Sequence, residues 1–222
     1  MKIGFCLFPN VTQLDFTGPL QVVHRIPHAE VFLAAETMSA VASDCDLSLV
    51  PTTTFADCPD LDVVIVPGGP GVSNAIRNEH VMEFIKRTAK TATYVCSVCT
   101  GAFILGAAGL LNGKEATTHW AYTQLLPMVG ATYKAGRVVR DGNTFTGGGV
   151  TAGIDFGLTI TAELAGTNVA EQIQLVLEYN PQPPYNSGHP NVASDTMLSQ
   201  MKETYVGRVA RLRDALKAAS RA

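Results

Sequence analysis

The stretch Tyr94-Val95-Cys96-Ser97-Val98-Cys99-Thr100-Gly101-Ala102 decides the fold. Its first five residues have strand character, and a helix-forming run at 102–111 follows at once. Ser97-Val98-Cys99-Thr100-Gly101 places small residues two before and two after a cysteine, the layout that lets a strand turn abruptly into a helix around a nucleophile. Such a turn predicts that Cys99 stands exposed with a strained backbone. It also predicts a lowered thiol pKa, because the residue sits at the positive end of a helix. The competing role for Cys99 is that of a buried small hydrophobe.

Outward from this turn, short apolar runs at 3–8, 31–35 and 63–66 alternate with helical stretches at 15–25, 78–90, 120–128, 150–165 and 169–179. This alternation predicts an α/β fold, a doubly wound, mostly parallel sheet with helices on both faces. Within 78–90, Val81, Phe84, Ile85 and Thr88 share one helical face. Pro19 is early enough in its helix to be accommodated in the first turn. Residues 136–146 predict a hairpin around Asp141-Gly142. The proline-rich segment 181–192 is a connector to a final amphipathic helix at 193–219. In that helix Met197, Met201, Tyr205, Val209, Leu212 and Leu216 line one side, packed either on their own core or on a second subunit.

The 222 residues form one domain, 1–222, with 46% hydrophobic and 16% charged residues, a composition that folds. A net charge of −3 without a dense basic run argues against a nucleic-acid partner and for a small molecule. No apolar stretch is long enough to cross a bilayer, and residues 1–9 read as a strand rather than a signal peptide, so no membrane association is expected. Five sparse cysteines point to a reducing cytoplasm. Cys6, Cys45 and Cys58 are assigned structural roles. Cys96 and Cys99 have C-x-x-C spacing, but strand alternation points them to different faces, and no further ligand spacing completes a metal site.

The chain resembles the DJ-1/PfpI superfamily from residue 1 to about residue 180. The residues that carry the likeness are Leu14-Asp-Phe-Thr-Gly-Pro19, Val66-Pro-Gly-Gly-Pro-Gly71, the cysteine turn, Ala116-Thr-Thr-His-Trp120 and Gly147-Gly-Gly-Val-Thr-Ala-Gly-Ile-Asp155. The resemblance implies a flavodoxin-like fold, related to class I glutamine amidotransferases, and a homodimer. Within the superfamily the combination of Asp15 with Ser97-Val-Cys-Thr-Gly101 is most similar to the isocyanide hydratases. Protease-like members have His where this chain has Thr100, and many members have Glu where it has Asp15. Regulators that share the domain continue into a helix-turn-helix region that this chain is too short to contain.

The resemblance implies a cofactor-free, metal-free enzyme that converts an isocyanide and water to an N-substituted formamide. Cys99 would attack the isocyanide carbon to give a thioimidate, with Asp15 as general acid and then general base. Asp15 could hold its proton near neutral pH if desolvation and the neighbouring thiolate raise its pKa; its other role at such a junction is a helix N-cap. The amides of Gly69 and Thr100 are expected to meet negative charge on the substrate, and those of Gly148 and Val150 to approach the Asp15 carboxylate; tight turns are the alternative for both glycine-rich runs. His119 is read as structural. Competing functions are a glyoxalase-type or other thiol enzyme, a non-enzymatic cysteine redox sensor, and a ligand-sensing module.

Overall fold

A computed structural model describes residues 1–220. The chain order is β1 (Lys2–Cys6), α1 (Gln13–Val23), β2 (Glu30–Ala35), β3 (Val41–Ala42), β4 (Ser48–Leu49), β5 (Thr53–Thr54), β6 (Val63–Val66), α2 (Val72–Ala75), α3 (Glu79–Thr88), β7 (Tyr94–Val98) and α4 (Ala102–Ala107). It continues through β8 (Glu115–Ala116), a 3-10 segment (Trp120–Val129), β9 (Thr132–Tyr133), β10 (Val138–Asp141), β11 (Thr144–Gly147), α5 (Ala152–Ala165), α6 (Thr167–Val176) and α7 (Asp195–Ala219).

Seven strands form one sheet in the order β10-β11-β7-β6-β1-β2-β5, parallel throughout except for the edge strand β10. The predicted mostly parallel sheet is therefore present. Its central strands read as near-continuous apolar runs because both sheet faces are covered; all four residues of Val63-Val-Ile-Val66 are buried. Helices α1 and α5 pack together on one side, and α4 packs against β6 and β7 with α2 and α7 beyond it. Val81, Phe84, Ile85 and Thr88 are all buried on α3, as their spacing predicts.

Two expectations change. Pro19 lies in the second turn of α1, not the first, because the helix begins at Gln13. Its missing N–H leaves the Asp15 carbonyl without the helical donor four residues on. On the final helix the apolar side splits. Val209, Leu212 and Leu216 are buried, whereas Met197 and Met201 are exposed by 45% and 42%. The strands β3, β4, β5, β8 and β9 are two residues each, too short to show a period.

The chain leaves β1 toward β2 in one direction and leaves β6 toward β7 in the other, so the winding reverses between the adjacent strands β1 and β6. In such sheets the crevice at the carboxyl ends of the strands is where ligands bind. The connections that leave β1, β6, β7 and β11 at that end carry Asp15, Gly68, Cys99 and Val150.

Candidate active site

At the end of β7 the chain enters a single 3-10 turn, Cys99–Gly101, before α4 begins. Cys99 has φ of 57°, a left-handed conformation that costs a non-glycine residue on the order of 1–3 kcal/mol and persists only when its surroundings enforce it. Two hydrogen bonds do so. The Cys99 N–H donates to the Gly148 carbonyl at 3.0 Å, and Thr118 Oγ1 donates to the Cys99 carbonyl at 2.7 Å. Gly101 permits the turn, since a Cβ there would lie 2.1 Å from the Val66 carbonyl oxygen.

The expected strain is present, but the expected exposure is not: Cys99 is only 5% exposed. The expected fall in thiol pKa is reversed as well. Burial, and then the neighbouring Asp15 charge, push the Cys99 thiol well above its ordinary value, while the Thr100 and Val150 amides facing the sulfur pull it back. A three-residue turn leading into a six-residue helix supplies too little positive potential to offset removal from water.

Asp15 is the third residue of α1 and has no exposed surface. Its Oδ2 accepts from the Gly68 amide at 3.1 Å, and its Oδ1 is buried without a conventional partner. The Cys99 thiol stands beside this carboxyl. Burial is the main cause that raises the Asp15 pKa, to about 7; the thiol and the Gly68 amide lower it, and the charge of Asp44 adds a smaller upward push. The carboxyl and thiol thus form a buried pair between which a proton can move.

Capping is performed by another residue. Asp44, on the turn between β3 and β4, accepts from the Gln13 amide at 3.1 Å and from Thr12 Oγ1 at 2.7 Å. Asp15 is thereby free of the N-cap role that its place near a helix start suggests.

The structure redistributes the predicted amides. The Gly69 N–H is already engaged with Thr100 Oγ1 at 2.9 Å and is not free for a substrate. The Gly148 N–H turns away from Asp15 to the Arg137 carbonyl at 2.8 Å, while its carbonyl holds the Cys99 backbone. Val150 faces the Cys99 sulfur rather than the Asp15 carboxylate, and Thr100 faces that sulfur too. Gly68 replaces Gly148 as the donor to Asp15. A Cβ on Gly68 would lie 2.5 Å from the Thr100 nitrogen and 2.9 Å from Asp15 Oδ2, so only glycine lets this loop close against both the cysteine turn and the Asp15 carboxyl. Gly68, Thr118 and Asp44 were missed by sequence reasoning. Gly68 had a signal, its place in the glycine-rich loop after β6, and Thr118 had one in the Ala116-Thr-Thr-His-Trp120 stretch; Asp44 had none.

His119 accepts from the Ala121 amide through Nδ1 at 3.3 Å and stacks on Tyr205 at 5.3 Å between ring centroids. Burial pushes its pKa down to about 4, which keeps it neutral. Cys96 is fully buried, and all five cysteines are free thiols. Among the described residues no group of three or more His, Cys, Asp or Glu is placed to hold a metal, and no helix is long and apolar enough to cross a membrane. Beside Val150 a cleft of about 520 Å³ opens, lined by residues that include Thr118, Trp120, Arg137 and Gly149.

The structure brings the cysteine turn at the end of β7 beside an acid from the first helix, and a sequence profile described as the DJ-1/PfpI family matches residues 1–163. The chain belongs to the DJ-1/PfpI family. Among DJ-1/PfpI proteins it is 53% identical over 203 residues to a protein named isonitrile hydratase from Pseudomonas putida, a match that covers 91% of this chain and 89% of that one. A solved ThiJ/PfpI family protein from Pseudomonas syringae superimposes with a TM-score of 0.95 at 39% identity, covering 97% of this chain and 90% of that one. An HTH-type transcriptional regulator, GbdR of Pseudomonas aeruginosa, is 29% identical over 80% of this chain, but the match spans only 50% of the regulator.

Proposed function

We propose that this DJ-1/PfpI protein is an isocyanide hydratase that adds water to an isocyanide carbon through Cys99 and Asp15. The observation that carries the reading is the buried thiol–carboxyl pair, because this reaction needs a nucleophile for carbon and a proton source for the same carbon. The 53% identity to a protein named isonitrile hydratase, along nearly all of both chains, supports the substrate class.

With one proton on the pair, transfer from the thiol to Asp15 yields a thiolate and a carboxylic acid. Thiolate attack forms the C–S bond, and the Asp15 proton goes to the carbon that accepted the sulfur, giving a thioimidate and a carboxylate. The carboxylate then takes a proton from water as its oxygen adds to that carbon, and passes the proton to nitrogen. On collapse the C–S bond breaks, the hydroxyl proton returns to Asp15, and the N-substituted formamide leaves with the thiolate regenerated. The Thr100 and Val150 amides favour the sulfur anion at both ends of this cycle. No step requires a metal or cofactor. We further propose a cytoplasmic homodimer, supported by the free thiols and by the exposed Met197 and Met201 on the apolar side of α7.

The test is a direct assay. Purified protein mixed with phenyl isocyanide is expected to form N-phenylformamide, and mixed with methylglyoxal to form no lactate. Absence of formamide would overturn the reading, and lactate without formamide would replace it with glyoxalase chemistry.

A further inference from the structure

On the Thr100 side of the nucleophile lies a second, much smaller pocket of about 30 Å³, roofed by α7. That volume holds one or two water-sized groups and no alkyl chain. Its wall includes Gly69, Ser73, Thr100, Tyr122, Arg208 and Arg211, and no carboxylate is among its lining residues. Arg208 and Arg211 are three residues apart and therefore share a helical face. The burial of Val209 and Leu212 between and beside them fixes that face over the pocket. Neither guanidinium is in an ion pair among the described residues. Arg208 instead rests over the Tyr205 ring at 5.6 Å, which leaves its N–H groups available.

The polar side chains of this wall are two guanidiniums and three hydroxyls. Guanidinium groups recognise planar oxyanions through paired N–H donors, and the pocket has the size of one such headgroup. Tyr122 lines the pocket together with Thr100, the residue after the nucleophile, and lies near enough to both arginines and to Cys99 to feel their charges.

We propose that this pocket receives the carboxylate of an acidic isocyanide, so that Arg208 and Arg211 select substrates bearing an anionic group. The inference rests on the hydratase reading for the reaction and on the α7 roof for the selectivity. It is tested by calorimetric binding of the ortho, meta and para formamidobenzoates and of neutral N-phenylformamide, in wild type and in the double variant Arg208→Gln, Arg211→Gln. At least one formamidobenzoate is expected to bind wild type ten times more tightly than N-phenylformamide. That advantage should fall below twofold in the double variant and shrink in wild type as salt is raised. If no formamidobenzoate outbinds the neutral compound, or if the advantage survives in the double variant, the proposal is overturned. Turnover of phenyl isocyanide by wild type, measured in parallel, reports on the hydratase reading separately: its failure beside an intact binding advantage would remove the reaction and leave the anion pocket.

Discussion

Cys96 and Cys99 lie three residues apart and are both buried, at 0% and 5% exposure. Cys96 continues the extended strand opposite Phe145, and burial alone pushes its thiol up. Cys99 is bent into the left-handed region, faces two backbone amides and stands beside a carboxyl. Burial by itself makes a thiol inert. What distinguishes the second cysteine is the carboxyl beside it, which in the proposed mechanism takes its proton inside the protein.

Deleting each sulfur in turn gives the widest contrast between the two cysteines. Cys99→Ala is expected to lower formamide formation by a factor of about 10⁴ or more, as removal of a nucleophile does. Cys96→Ala should keep the rate within about threefold and cost about 1 kcal/mol for the lost packing, read from urea unfolding.

Asp15→Asn sharpens it next. The rate should fall by about 10²–10⁴, the usual contribution of a general acid and base. Stability should move the opposite way. The folded protein holds the Asp15 proton up to about pH 7, whereas the unfolded chain releases it near 3.8, so stability is lost as pH rises through that window. At pH 8 the cost is on the order of 4 kcal/mol, and Asp15→Asn removes it. The variant should therefore be more stable than wild type at pH 8, with the gap closing toward pH 4. The smallest effect is expected at Asp44→Ala, which deletes the cap of α1 and should cost about 1 kcal/mol of unfolding free energy.

The sheet and the elbow were legible in the sequence for identifiable reasons, whereas the pairing of Asp15 with Cys99 came from the family resemblance. Apolar runs such as Val63–Val66 reveal buried parallel strands, and Ser97 and Gly101 around Cys99 reveal the sharp turn. The amide directions were not legible. Gly69 and Gly148 sit in glycine-rich loops that do reach the site, yet a rotation of one peptide decides whether its N–H or its carbonyl faces inward. The sign of the Cys99 shift was hidden for a different reason. Local sequence shows the helix start that would lower the pKa, but the burial that raises it is contributed by distant segments, as Asp15 from α1 illustrates. Asp44 was equally invisible, because a cap supplied from 31 residues away leaves no local pattern.

Cys99 and Asp15 are expected to titrate as one pair. The pH dependence of Cys99 alkylation by iodoacetamide, followed by peptide mass spectrometry in wild type and in Asp15→Asn, tests it directly. In wild type the rate is predicted to take a first step up through about pH 7, where Asp15 loses its proton and becomes able to accept the thiol's; in Asp15→Asn that step should be absent, leaving the rise at the higher pH where the buried thiol itself titrates. Coincident profiles for the two proteins would mean that the thiol titrates independently of Asp15.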